Sequence, residues 1–143
     1  MRTLSTLIQV TKELTDEWHN VFHMTIGGNK FQYGDRIPAF WVNQSKSFWI
    51  WSAISGSPYY SNSLTYNLYQ WYHIEIKQEE NSNGKIIYSI AMDGTTVWEV
   101  VNNLPTRFEK VILYTSDPWY PSFASFGELK NLKIVNLEKD HHA

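Results

Sequence analysis

Apolar and polar side chains alternate along residues 71–101, WYHIEIKQEENSNGKIIYSIAMDGTTVWEVV. In the first part Tyr72, Ile74, Ile76 and Gln78 fall on one side, and His73, Glu75, Lys77 and Glu79 on the other, the period of a half-buried strand. The polar set Asn81-Ser82-Asn83-Gly84 interrupts it, and a second run rich in Ile and Tyr, Lys85–Met92, ends at Asp93-Gly94. An Asp-Gly pair between two apolar runs is a strong hairpin signal. The pattern predicts an antiparallel meander of three strands.

The rest of the chain reads the same way. Leu4–Leu14 has the Thr, Val and Ile content of an edge strand. Glu17–Ile26 alternates, with Phe22, Met24 and Ile26 opposite Val21, His23 and Thr25, until Gly27-Gly28-Asn29 breaks it. Pro38 cannot donate to a ladder, so it opens a strand over Ala39–Val42. After the polar turn Asn43–Lys46 comes FWIWSAI, with Trp49, Trp51 and Ala53 on one face and Phe48, Ile50 and Ile54 on the other. Gly56–Asn67 shows no apolar period and reads as a loop carrying three tyrosines. Phe108–Ser116 and Gly127–Leu137 read as strands, and between them Asp117-Pro118-Trp119-Tyr120-Pro121 is a constrained loop. No segment reads as a helix of more than a turn or two. Eight or more short strands between turn signals imply a sandwich or a barrel.

With 143 residues the chain is expected to form one domain over 1–137, followed by a tail, 138–143. A net charge of −2 supplies no basic footprint for nucleic acid. The absence of cysteine removes disulfides and thiolate chemistry, and no apolar run reaches membrane-spanning length, so no membrane insertion is expected. The first ten residues lack the apolar core of a signal peptide. Seven Trp and nine Tyr make the chain rich in large rings, which suit strands and equally suit apolar sugar faces and protein interfaces, and composition does not choose among these uses.

Several segments in order are similar to a known superfamily: G-D-R-I-P before a Trp strand, Q-W-Y-H-I-E-I-K-Q, Y-S-I-A-M-D-G-T-T-V, and V-I-L-Y-T-S-D-P-W-Y with N-L-K-I. They resemble a laminin-G-like or pentraxin-like domain of the concanavalin A-like lectin and glucanase superfamily. The likeness covers about residues 18–137 and rests on structural motifs: the Ile74/Ile76 pair, the Ala91-Met92-Asp93-Gly94 hairpin and the final Leu129–Leu132 segment. It implies an all-β, two-sheet antiparallel jelly-roll sandwich. Relatives of this kind bind glycans or matrix and receptor proteins, often with calcium at a rim. The C-terminal disulfide of many laminin-G domains and the galectin His-x-Asn-Pro-Arg signature are both absent.

Glucanases of that superfamily carry Glu-x-Asp-x-Glu on one strand, and retaining hydrolysis needs two carboxyls about 5–5.5 Å apart. Glu75 and Glu79 have the spacing, but Lys77 replaces the middle acid, so a charged strand face is expected in place of catalysis. His19 and His23 lack the helix and the following Glu of a zinc protease. Asp35 and Asp117 are loop acids that suit calcium as a cofactor only if more oxygen ligands converge on them, and each also suits an Asx-turn.

The rings remain. With Phe48, Ile50 and Ile54 in the core, Trp49 and Trp51 stand on the opposite face beside Trp41. Tyr59, Tyr60 and Tyr66 then line the rims with Trp119 and Tyr120. Burial of the Trp residues in the core is the competing reading. The expectation is a non-catalytic, lectin-like recognition module in an extracellular adhesion or matrix setting, part of a longer secreted or surface chain. Its ligand-binding residues would be Trp49, Trp51, Tyr59, Tyr60, Trp119 and Tyr120. The partner would be a glycan or glycoprotein, the alternatives being another protein or self-association through the same rings, and a glycoside hydrolase relative.

Overall fold

A computed structural model describes residues 2–15 and 18–136, so the tail at 138–143 lies outside the described residues. Ten strands are present: β1 (Arg2–Val10), β2 (His19–Thr25), β3 (Ala39–Asn43), β4 (Ser47–Ile54), β5 (Ser57–Thr65), β6 (Trp71–Glu80), β7 (Ile86–Met92), β8 (Thr95–Val101), β9 (Ile112–Tyr114) and β10 (Gly127–Asn136). No helix occurs among the described residues. The fold is all-β with two antiparallel five-stranded sheets, ordered β10-β1-β6-β7-β8 and β5-β4-β3-β2-β9. This is the two-sheet sandwich class expected from the sequence, and the strand order is compatible with jelly-roll connectivity.

The chain divides into two compact units that coincide with these sheets. One holds the described residues of 1–9, 71–103 and 129–143, the other those of 10–70 and 104–128.

In the first unit the expected meander is present. Asp93 and Gly94 take φ of 53° and 84°, the two positive values of the hairpin turn that matches strand twist. Tyr72, Ile74 and Ile76 are buried while His73, Glu75 and Lys77 are half-exposed, as alternation requires. β1 differs from expectation. It is an interior strand between β10 and β6, ending at Val10, and Leu4, Thr6, Ile8 and Val10 are buried in strict alternation. Its Thr content suited an edge, but Thr6 is satisfied inside by donating to the Lys130 carbonyl at 3.1 Å.

In the second unit β2 is buried along its whole length, and Pro38 directly precedes β3 as expected. Phe22, Phe40 and Phe48 form one face of the sheet, with ring centroids 5.4 Å apart for Phe22–Phe40 and again for Phe40–Phe48. Two other expectations fail. Residues 57–65 are a strand, β5, not a loop: Ser55 (φ 51°) and Gly56 (φ 88°) make a two-residue hairpin turn that carries its polar sequence along the sheet edge. Only Ile112–Tyr114 of the segment 108–116 is a strand, because Lys110 adopts φ 55° and turns the chain out of extension.

Candidate functional site

The register of the second sheet places the site. Direct pairing runs Trp41↔Trp49↔Ser63 and Ala39↔Trp51↔Ser61, with His23 opposite both Ala39 and Tyr114. Paired residues share a face, so His23, Tyr114, Trp41, Trp49 and Trp51 stand together, on the side away from the Phe22/Phe40/Phe48 face. Exposed Ser61 and Ser63 flank the indoles on β5, and side chains that small leave the face uncovered there.

A cleft of about 410 Å³ opens on this face, lined by Trp18, Lys30, Phe31, Arg36, Trp41, Trp51, Tyr59 and Tyr120. Its volume lies in the usual range of small-ligand sites, about 300–1,000 Å³. Six of the eight linings are rings. The two others are cations, and no carboxylate of the described residues lines it. Phe31 (79% exposed) and Tyr59 (49%) stand at its rim, whereas Trp41 (2%) and Arg36 (3%) form its floor.

Arg36 is held by its own loop and by the rings. Its Nε donates to the Asn29 carbonyl at 3.0 Å, and Nη2 to Asn29 Oδ1 at 3.4 Å and to the Tyr120 hydroxyl at 3.2 Å. The guanidinium carbon lies 4.4 Å from the centre of the Trp41 ring and 4.6 Å from that of Trp51. Cation–π attraction strengthens when the charge is desolvated, which is the situation here. Burial pulls the Arg36 pKa below its ordinary value, opposed by Tyr120, Asp117 and Asp35, and a guanidinium keeps its charge regardless.

The floor is fixed from behind by a hydrogen-bonded set. His23 Nδ1 meets Asp117 Oδ2 at 2.8 Å, and Nε2 meets the Asp35 carbonyl at 2.6 Å. Asp117 Oδ1 accepts the backbone N–H groups of Trp119 and Tyr120, which sets that loop, while Asp35 Oδ2 accepts the N–H of Gln32. Both calcium candidates are therefore buried and engaged with protein donors. Among the described residues no group of three or more His, Asp and Glu side chains is placed to hold a metal ion.

The six residues singled out in the sequence divide. Trp51, Tyr59 and Tyr120 line the cleft. Trp49 shares the face without lining it, packing its ring 5.4 Å from Trp18 and 6.4 Å from Trp51. Trp119, 39% exposed, packs tilted against the His23 ring and edge-on against Tyr114. Tyr60 pairs with Ser52 on β4 and so belongs to the other face of the sheet, out of register with Trp51. Tyr66, expected at a rim, is buried and stacked 4.5 Å from Phe48. The burial reading holds only for Trp41, since Trp49 and Trp51 remain half-exposed.

Sequence reasoning missed Trp18, Lys30, Phe31 and Arg36. Their signal was weak: a polar, Gly-rich loop between two aromatic strands. Glu75 and Glu79 belong to the first unit, where Glu79 pairs with Lys77 at 3.3 Å on a partly exposed strand face. No protein-family model matches the chain, and no curated protein matches it at a significant level.

Proposed function

We propose that this chain is a non-catalytic recognition module that binds carbohydrate in the cleft of its second sheet. The observation that carries this reading is the cleft itself: Trp51, Tyr59 and Phe31 offer flat apolar surfaces at an opening of sugar-ring size, with Lys30 and the Tyr120 hydroxyl beside them. Pyranose rings present apolar C–H faces that stack on such plates, and their hydroxyls take hydrogen bonds from polar groups at the edge. The resemblance to laminin-G-like and pentraxin-like domains agrees with this, and it suggests an extracellular adhesion or matrix setting.

A glycan array tests it. The wild-type chain should retain a coherent glycan set, and Trp51→Ala and Tyr59→Ala should lose it while keeping the wild-type melting temperature within about 5 °C. Retention of the same set by both variants would move the site elsewhere.

A second reading rests on β9, a three-residue edge strand with Ile112 (41%) and Leu113 (40%) exposed. Exposed apolar edge residues of this kind also serve protein contacts or self-association. A concentration-dependent shift in sizing chromatography, removed by Leu113→Lys, would favour it.

A further inference from the structure

Resting on the carbohydrate reading, we infer that the sugar is an acidic one, and that Arg36 is the receptor for a single carboxylate on its ring.

A guanidinium has five N–H donors. Three are used: Nε on the Asn29 carbonyl, and Nη2 on Asn29 Oδ1 and on the Tyr120 hydroxyl. The two on Nη1 meet no acceptor among the described residues, in a residue that is only 3% exposed. Nη1 is not among the fully enclosed atoms left without a partner, so its donors reach solvent, where a ligand acceptor can replace water. Among the described residues no carboxylate forms an ion pair with Arg36. Of the nearby acids, Asp117 is committed to His23 and to two backbone N–H groups, and Asp35 to Gln32. The two indoles cover the guanidinium at 4.4 and 4.6 Å without neutralising it.

The lining of the cleft agrees on the sign of the ligand. Lys30 lines the same cleft, and no acid among the described residues does. A carboxylate is acceptor-only and negatively charged, so it can take the remaining Nη1 donors and supply a counter-charge at once. A neutral sugar would leave the guanidinium with only the more distant Asp35 and Asp117 to balance it. A uronic acid places its carboxylate at the ring edge, where an aromatic-stacked ring would present it to Arg36.

Calorimetric titration of the wild-type chain against glucuronate- and galacturonate-ended oligosaccharides, their methyl esters, their neutral parents and sulfate-ester counterparts tests this. The uronates are expected to bind at least about tenfold more tightly than the esters and neutral parents, and Arg36→Gln should remove that margin. Because the acid-against-ester comparison uses only the wild-type chain, a variant that fails to fold does not blunt the test. Equal affinity for acid and ester would overturn the acidic-sugar inference and leave the carbohydrate reading standing. Tighter binding of the sulfate esters would overturn the carboxylate assignment, as would a uronate preference that survives in folded Arg36→Gln. Binding of none of these sugars would overturn both.

Discussion

His23 Nδ1 lies 2.8 Å from Asp117 Oδ2, and neither side chain has any exposed surface. The other ring nitrogen lies 2.6 Å from the Asp35 carbonyl, which can only accept, so Nε2 donates. A proton must then sit between Nδ1 and the Asp117 carboxyl. Through its second oxygen the same carboxyl holds the backbone of Trp119 and Tyr120, and Tyr120 in turn holds Arg36. Strand β2, the aromatic loop and the cleft floor are thus joined through one acid.

Removing that acid should be costly. Asp117→Ala is expected to lose about 3–5 kcal/mol in urea unfolding, because it strands a buried histidine and frees two backbone donors. Asp117→Asn keeps an acceptor for the loop N–H groups and can donate to a neutral ring, so it should lose less than half as much. Equal losses for the two would mean that the loop hydrogen bonds contribute little.

Gly28 sits where a side chain has no room. A Cβ there would lie 2.6 Å from Asp35 Oδ2, the oxygen that accepts from Gln32. Gly28→Ala should therefore destabilise by about 1–3 kcal/mol and loosen the loop that carries Lys30 and Phe31. A thermal midpoint equal to wild type would show that the Asp35 carboxylate moves aside freely.

The sequence made the face legible but not the cleft. Period-two alternation in FWIWSAI suffices to put Trp49 and Trp51 opposite Phe48 and Ile50, because a strand has only two sides. The same logic hid β5, since a polar strand with both faces partly exposed carries no apolar period; only its pairing with β4 makes it visible. Tyr66 looked like one more rim tyrosine because nothing in Leu64-Thr65-Tyr66 foretells the stack on Phe48. Arg36 was unreadable for a related reason: its meaning comes from Trp41, Trp51 and Tyr120, and Tyr120 lies 84 positions away along the chain.

The buried stack of Tyr66 has a pH signature. Burial, helped by Glu13, pushes its hydroxyl from an ordinary 10.0 up to about 12. The folded form thus keeps a proton that the unfolded chain releases first, so its contribution is complete below the ordinary value and is lost as pH rises towards 12. Between pH 9 and 12 the wild-type chain should lose up to about 2–3 kcal/mol more than Tyr66→Phe. Parallel stability curves for the two would show that Tyr66 ionises without hindrance.

Glu75 and Glu79 should be dispensable. Glu75→Gln and Glu79→Gln are expected to change stability by no more than about 0.5 kcal/mol, since both lie on a partly exposed strand face. Wild-type protein should release no reducing ends from β-glucans. Release that Glu75→Gln abolishes would instead mark a hydrolase.

The most direct measurement follows the indole N–H signals by ¹⁵N NMR while the strongest glycan from the array is added. Binding in the cleft predicts that the Trp41 and Trp51 signals shift saturably with ligand, while those of Trp71 and Trp98 on the other sheet stay in place. Unmoved Trp41 and Trp51 signals at saturating glycan, or shifts confined to Trp71 and Trp98, would contradict it.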